Sequence, residues 1–475
     1  MERTRVNQMQ EAPEGAEEIM SNRSIKTERA IHKALTEAGL SRRDFLRYSG
    51  VGAIGASAVM GTGALLHSGE AQAVTTNARV VIVGAGAAGI SCANRLNRQL
   101  RGADITVIDR REDHQYQPGL TLVATGVWER DKVVDRNANF LPSGVNWVKA
   151  MVKEYDPDNN RVITDDGQTI EYDYLMVATG LQVNYDAYEG YSRELIGDHG
   201  IGCVYDNADH AARTWRQIDR FTQSGGKGLF IRPPGAIKCA GAPLKVTMLT
   251  EDRLRRRGTR ANTEMHYFAP GTGMFSQPDI DEFLKGHFPE RDINLHWHHV
   301  VKGIDPAAQE VVFDTPDGER TEDYDFIHLV PPMSAPDSLR NSALAAGEDS
   351  NFTGWLEVDR YTMQHQRYEN VFGAGDINGV PIGKTAASVK AQVPVAVNNM
   401  VSHMQGREMT ESYDGYTSCP LITGIGKAIL VEFDYNLDMV PSFPFISPYD
   451  EHWVPWVMKD RLLHGAYNAM MRGRV

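Results

Sequence analysis

Apolar positions along the chain fall into short strand-length runs separated by stretches of helical spacing. Arg79-Val80-Val81-Ile82-Val83 is the first such run, followed by a glycine cluster and by a helical pattern over residues 90–100. Ile105-Thr106-Val107-Ile108 reads as the next strand, and Tyr174-Leu175-Met176-Val177, Gly228-Leu229-Phe230-Ile231 and Val371-Phe372 as later ones. Strands alternating with helices predict an α/β protein with parallel sheets. Near the C-terminus Trp453, Trp456, Val457, Leu463, Tyr467, Met470 and Met471 recur at helical spacing, with Lys459, Arg461, Arg472 and Arg474 between them. This predicts an amphipathic helix that lies on a membrane, packs on the protein body or forms a dimer contact. After residue 73 no run of eighteen strongly apolar residues occurs, so no spanning helix is predicted.

The length of 475 residues implies two or three domains. Hydrophobic content of 41% and charged content of 23% fit a folded chain. A net charge of −13 makes nucleic acid a poor partner.

The first 73 residues read differently from the rest. Arg42-Arg43 precedes a Gly/Ala-rich, moderately apolar run from residue 51 to 66, and Ala71-Gln72-Ala73 offers a small-residue cleavage site. This order resembles a twin-arginine (Tat) signal. It predicts export of a folded protein to the periplasm, at the outer face of the cytoplasmic membrane, where a disulfide persists.

The chemistry begins at Gly84-Ala85-Gly86-Ala87-Ala88-Gly89, placed directly between strand and helix. Gly84 permits the tight turn, Gly86 the approach of a pyrophosphate, and Gly89 close packing of helix on strand. Asp109, at the end of the second strand and twenty residues after Gly89, is placed to accept hydrogen bonds from a ribose. Two later strands end in Ala178-Thr179-Gly180 and in Gly375-Asp376. Together these segments resemble flavoproteins built from two dinucleotide-binding domains. The resemblance implies non-covalent FAD, with Asp376 on the ribityl chain and the helix opening at Lys384-Thr385 aimed at the flavin ring. A cation or dipole there stabilises reduced flavin.

The second domain departs from that pattern. After Gly228-Leu229-Phe230-Ile231 comes Arg232-Pro233-Pro234-Gly235, with no glycine fingerprint and with two prolines that lack N–H donors. A nicotinamide site is not expected there. Cys239 occupies this turn, beside Lys238 and before a helix, a setting that lowers a thiol pKa. Cys419 lies in a turn-rich segment from residue 413 to 424. Residues 237–243, 328–333, 384–387 and 413–424 resemble sulfide:quinone oxidoreductases, nearest to the animal mitochondrial branch, over essentially all of the chain after residue 78. The resemblance implies that Cys239 and Cys419 form a redox pair beside the flavin, that hydrosulfide attacks Cys419, and that Cys239 is released as a thiolate. Sulfide, a membrane quinone and a membrane interface are then the partners, with a homo-oligomer allowed. Phe443, Phe445 and Tyr449 become candidates for lining the quinone entry. Cys92 reads as a small packing residue, and the role of Cys203 stays open.

These readings divide the chain into a signal (1–73), an FAD-binding domain in two parts (74–190 and 334–405), a second Rossmann-like domain (191–333) and a C-terminal, membrane-associated region (406–475). Three rivals remain. The flavin subunit of a flavocytochrome c sulfide dehydrogenase carries its FAD on a cysteine, and the matching stretch here, residues 114–120, has none. An NADH:quinone dehydrogenase is disfavoured by the altered turn, and a flavin-bound sulfide sensor by the cysteine pair. His114, His210, His365 and His464 show no metal-ligand spacing, so no metal is expected.

Overall fold

The computed structural model describes residues 73–443 and 446–475. The elements that position the site are, in chain order, β1 (Arg79–Val83), α1 (Ala87–Gln99), β2 (Asp104–Ile108), β3 (Asn146–Val148), β4 (Tyr174–Val177) and β5 (Ile201–Gly202). They continue with α2 (Ala208–Ser224), β6 (Gly226–Ile231), α3 (Ala242–Arg257), β7 (Thr263–Phe268), α4 (Pro278–His287), β8 (Ile293–His296) and β9 (Phe326–His328). The last are β10 (Val371–Gly373), α5 (Ala386–Met404), β11 (Thr417–Gly424), β12 (Lys427–Phe433), α6 (Trp453–Val457) and α7 (Leu463–Met471).

Two five-stranded parallel sheets carry the architecture. The first runs β10-β4-β1-β2-β3, so the chain leaves it after β4 and returns at residue 371. Strands covered on both faces require unbroken apolar sequence, and Val80, Val81, Ile82 and Val83 are accordingly buried. Helix α1 packs against α5, and its Ile90, Ala93 and Leu96 are buried. The second sheet runs β5-β9-β6-β7-β8. Strand β6 pairs with β7 on one side and with β9 on the other. The order therefore reverses beyond its C-terminal end, where ligands of open α/β sheets gather. The loop leaving that end, residues 232–241, carries Cys239.

Strands β11 and β12 form an antiparallel hairpin, with Cys419 opposite Val431, that packs on α3. One buried acid fixes this contact. Glu251 of α3 is 0% exposed and accepts hydrogen bonds from Arg255 and, at 3.1 Å, from Arg291, which also donates to the Thr423 carbonyl at 3.0 Å. Removing one partner of a buried ion pair costs about 3–5 kcal/mol. Glu251→Ala is therefore expected to lower the denaturation midpoint on that scale. An unchanged midpoint would show that the arginines find other partners.

The C-terminal helix departs from the membrane reading of its apolar stripe. Tyr467, Met470 and Met471 are buried on the protein. Ser91 Oγ and Asn94 Nδ2 of α1 donate to the Met470 and Met471 carbonyls at 3.0 and 3.1 Å, and Arg98 donates to the Arg472 carbonyl at 2.8 Å. These bonds satisfy the carbonyls that a helix end leaves unpaired. Among the described residues no helix is long and apolar enough to cross a membrane. Phe443 is buried and Tyr449 exposed, while Phe445 falls outside the described residues.

Candidate active site

Two groups of residues meet between the sheets' C-terminal ends, one shaped for a dinucleotide and one for thiol chemistry. In the first, Gly84 takes φ +107°, and a Cβ there would lie 2.4 Å from the Ala178 carbonyl oxygen. A Cβ on Gly89 would lie 1.8 Å from the Gly84 oxygen, so helix and strand approach as closely as their backbones allow. At Gly86, by contrast, a Cβ meets nothing within 4 Å, and this N-cap of α1 has no side-chain cap. Open space over unpaired helix N–H groups is what a pyrophosphate requires. Gly180 and Gly375 both take positive φ beside this space, with Thr179 between Ala178 and Gly180 at the end of β4.

Asp109 closes the turn. Its carboxylate accepts from the Ala85 N–H at 2.7 Å and from Arg111 at 2.7 and 3.1 Å, and Arg111 holds it below the usual carboxylate range against the pull of burial. Asp109 thus shapes the glycine loop. Asp376 makes no hydrogen bond or ion pair through its carboxylate among the described residues, and burial raises its pKa. Thr385 is the N-cap of α5, accepting from the Ser388 N–H at 3.1 Å and sharing a 2.9 Å hydrogen bond with Thr417 of β11. The Lys384 ammonium does not point freely from the helix start. It donates to the Asp376 and Asn378 carbonyls at 2.7 and 2.9 Å and lies 3.8 Å above the Trp355 ring.

The second group is built on the switch-point loop. Cys239 has φ +46°, a left-handed conformation that a non-glycine residue adopts at a cost. It is held there from three sides. Its N–H donates to the Lys384 carbonyl at 2.8 Å, and its carbonyl accepts from the Ala242 N–H at 2.7 Å and from the Tyr205 hydroxyl at 3.0 Å. Cys419 on β11 reaches the same point, and a Cβ on Gly241 would lie 2.9 Å from its sulfur. Lys245 of α3, 3% exposed, sets its Nζ 3.3 Å from Cys239 Sγ and 3.6 Å from Cys419 Sγ. The hydrogen bond with the Cys419 thiol, then the charges of Lys245 and Lys459, hold the Cys239 thiol well below its usual range. The same hydrogen bond, with burial, pushes Cys419 up. Despite burial, the two sulfurs raise the pKa of Lys245.

Lys459 completes this group from the C-terminal segment. It sits in a π-helical turn, Met458–Leu462, is 3% exposed, and donates to the Pro118 carbonyl at 2.5 Å, 5.4 Å from the Tyr116 ring centroid. Burial and the neighbouring Lys245 charge lower its pKa to about 7.

Neither lysine stands out in the sequence as a site residue, and Lys238, which does, turns elsewhere. The cation on Cys239 is Lys245, one helical turn beyond the Gly241 N-cap, within the buried run Leu244, Val246, Met248 and Leu249. Cys92 and Cys203 are buried, with thiols pushed up by burial to about 12, so both stay protonated. The four histidines have partners of their own. His114 bonds Asn137 and Tyr467, His210 pairs with Asp206, His365 meets the Leu344 carbonyl, and His464 stacks on Tyr116. Among the described residues no His/Cys/Asp/Glu group forms a metal cluster.

A family model described as pyridine nucleotide-disulphide oxidoreductase matches residues 78–227. A mitochondrial sulfide:quinone oxidoreductase of Dictyostelium discoideum is 37% identical over 398 residues, 83% of this chain and 86% of its own. The chain belongs to the sulfide:quinone oxidoreductase family. The mitochondrial member from Mus musculus is 36% identical over 412 residues, covering 86% of this chain and 89% of its own. The solved structure of the family member from Aquifex aeolicus shares the fold with a TM-score of 0.67 at 22% identity, over 82% of this chain and 92% of its own. The chain is an oxidoreductase, and its cofactor is FAD.

These relatives correct one expectation. Their names place them in mitochondria, so Tat export to the periplasm does not stand. Apart from Ala73, the residues that suggested it lie outside the described residues. An arginine pair before a weakly apolar run is a short motif, and it does not by itself fix an address.

Proposed function

We propose that this chain oxidises sulfide through Cys239 and Cys419 and delivers the electrons to a membrane quinone. The observation that carries the reading is the convergence of both sulfurs on the single buried ammonium of Lys245. In the resting state the two cysteines are joined as a disulfide. Hydrosulfide attacks Cys419 Sγ, the Cys239–Cys419 bond breaks, and Cys239 leaves as a thiolate while Cys419 holds the new S–S bond. The direction follows from acidity, because the sulfur of lower pKa is the better leaving group. Cys239 has that lower pKa. A second nucleophile then takes the sulfane sulfur and leaves two thiolates, whose rejoining as a disulfide releases two electrons. Bound FAD supplies the two-electron acceptor that links this pair to the quinone. Lys245 stabilises each thiolate as it forms, and Lys459 adds positive charge beside the same sulfurs.

Membrane contact is assigned to the exposed rings of Tyr449 (46%) and Trp453 (41%) rather than to the buried stripe of α7. The site residues of the cradle are Gly84, Gly86, Gly89, Asp109, Ala178, Thr179, Gly180, Gly375, Asp376 and Thr385. Sulfide-dependent turnover with a short-chain quinone tests the reading. One quinone reduced per sulfide consumed is expected, and sulfide consumption without quinone reduction would contradict it.

The Lys459 pKa of about 7 gives a pH dependence. Below that pH the ammonium is charged and attracts an anion; above it the charge is lost. Lys459→Met is therefore expected to remove a decline in kcat/KM for sulfide on the alkaline side of pH 7. A full pH profile checks this, and a profile that keeps the decline would assign it to another group.

A further inference from the structure

Lys238 immediately precedes the reactive Cys239 but faces the other way. Its backbone pairs with Lys384 in a parallel bridge, and the chain then turns at Cys239 into the left-handed conformation, φ +46°. Cys239 turns to Lys245 and Cys419, while the charges that face Lys238 are Asp376, Arg111 and Asp206, together with the Cys203 thiol. Arg111 is already bound to Asp109, Asp206 to Arg193 and His210, and Lys384 to main-chain carbonyls. The Lys238 ammonium and the Asp376 carboxylate, by contrast, make no hydrogen bond and no ion pair among the described residues. Both are half-buried. Burial lowers the pKa of Lys238 and raises that of Asp376, so each charge is costly without a partner. Lys384, the backbone partner of Lys238, donates to the Asp376 carbonyl, and a Cβ on the adjacent Gly375 would lie 3.1 Å from Ala88 Cβ in the first turn of α1, whose Gly86 N-cap is uncapped and open.

We propose that Lys238 is a cofactor-holding residue, whose ammonium binds negative charge on FAD instead of activating Cys239. The inference rests on the FAD reading and not on the thiol chemistry. The negative charge has two possible sources, the pyrophosphate or the charge gained on two-electron reduction, and the experiment separates them.

The full-length protein with Lys238→Met, Lys238→Gln and Lys238→Arg is compared with wild type. The dissociation constant of oxidised FAD and the midpoint potential of bound FAD are measured, with circular dichroism to confirm folding. Contact with the pyrophosphate predicts at least tenfold weaker binding of oxidised FAD in the Met and Gln variants. Contact with reduced flavin predicts near-normal binding and a potential at least about 30 mV lower, the equivalent of tenfold for a two-electron couple. In either case Arg restores most of the loss, and the pH profile of Cys239 alkylation in the reduced protein at saturating FAD is unchanged. Folded Met and Gln variants with unchanged affinity and potential would overturn the proposal. So would an alkylation profile displaced to higher pH, which would return Lys238 to the thiol. Wild-type protein that binds no FAD at all would instead remove the cofactor reading beneath it.

Discussion

Cys239→Ser and Cys419→Ser are each expected to slow sulfide-driven flavin reduction by at least about a thousandfold, the scale on which loss of a covalent nucleophile is felt. Serine keeps the size of the side chain but forms no disulfide, so hydrosulfide has no S–S bond to attack. FAD should remain bound in both variants, because the cradle at Gly84, Gly86, Asp109 and Asp376 does not involve either sulfur. The two positions should differ in one respect. Serine at 419 keeps an O–H donor, so the hydrogen bond that contributes most to the low pKa of Cys239 is removed only in Cys419→Ala, which leaves the lysine charges. Alkylation of Cys239 in Cys419→Ala should therefore move to higher pH. With Cys239 gone, Cys419 loses the group that raises it most and should titrate lower. Rapid mixing with sulfide, followed by flavin absorbance, reads the first effect. Alkylation across a pH series reads the second. Near-normal flavin reduction in either variant would rule out the paired-cysteine scheme.

Lys245→Met should have the next largest effect. Methionine fills the same volume, and replacing a buried charge by an apolar side chain need not destabilise a fold. What it removes is the ammonium 3.3 and 3.6 Å from the two sulfurs. Hydrogen bonds to charged groups contribute about 1.5–3 kcal/mol, equivalent to about 10- to 100-fold. Sulfide-driven reduction at pH 7 should fall by that factor. The sign with pH follows from the thiolate. Without Lys245 the Cys239 pKa rises, less of it is ionised at pH 7, and activity recovers as pH increases. The recovery should be partial because the Cys419 hydrogen bond remains. A uniform loss across the pH range would mean that Lys245 acts through packing and not through its charge.

Much of the fold and cradle is legible in the chain itself. Unbroken apolar runs such as Val80 to Val83 mark strands covered on both faces, and the glycines at 84, 86 and 89 have a steric reason that the backbone distances bear on directly. The turn after β6 is legible as unusual because prolines stand where a nucleotide needs N–H donors. The lysines of the thiol site are not legible in the same way. Lys245 interrupts a buried apolar run, and that is its one sequence signal; which way it points depends on where β11 returns, almost 180 residues later. Lys459 is misplaced by periodicity. A π-helical turn takes more residues per turn than an α-helix, so positions assigned to the outer face by a 3.6-residue repeat rotate inward. The same shift, together with the hydrogen bonds from α1, explains why the stripe on α7 faces the protein. Lys238 shows the converse limit. Adjacency to Cys239 suggests an interaction, but the chain turns at Cys239 and its sulfur takes Lys245 instead.

The central claim is that the electron pair enters from sulfide through the cysteine pair and not from a nicotinamide. An anaerobic titration of the purified protein, first with sulfide and separately with NADH, tests this by following flavin absorbance. Bleaching by sulfide and none by NADH is the predicted result; bleaching by NADH and none by sulfide would contradict it.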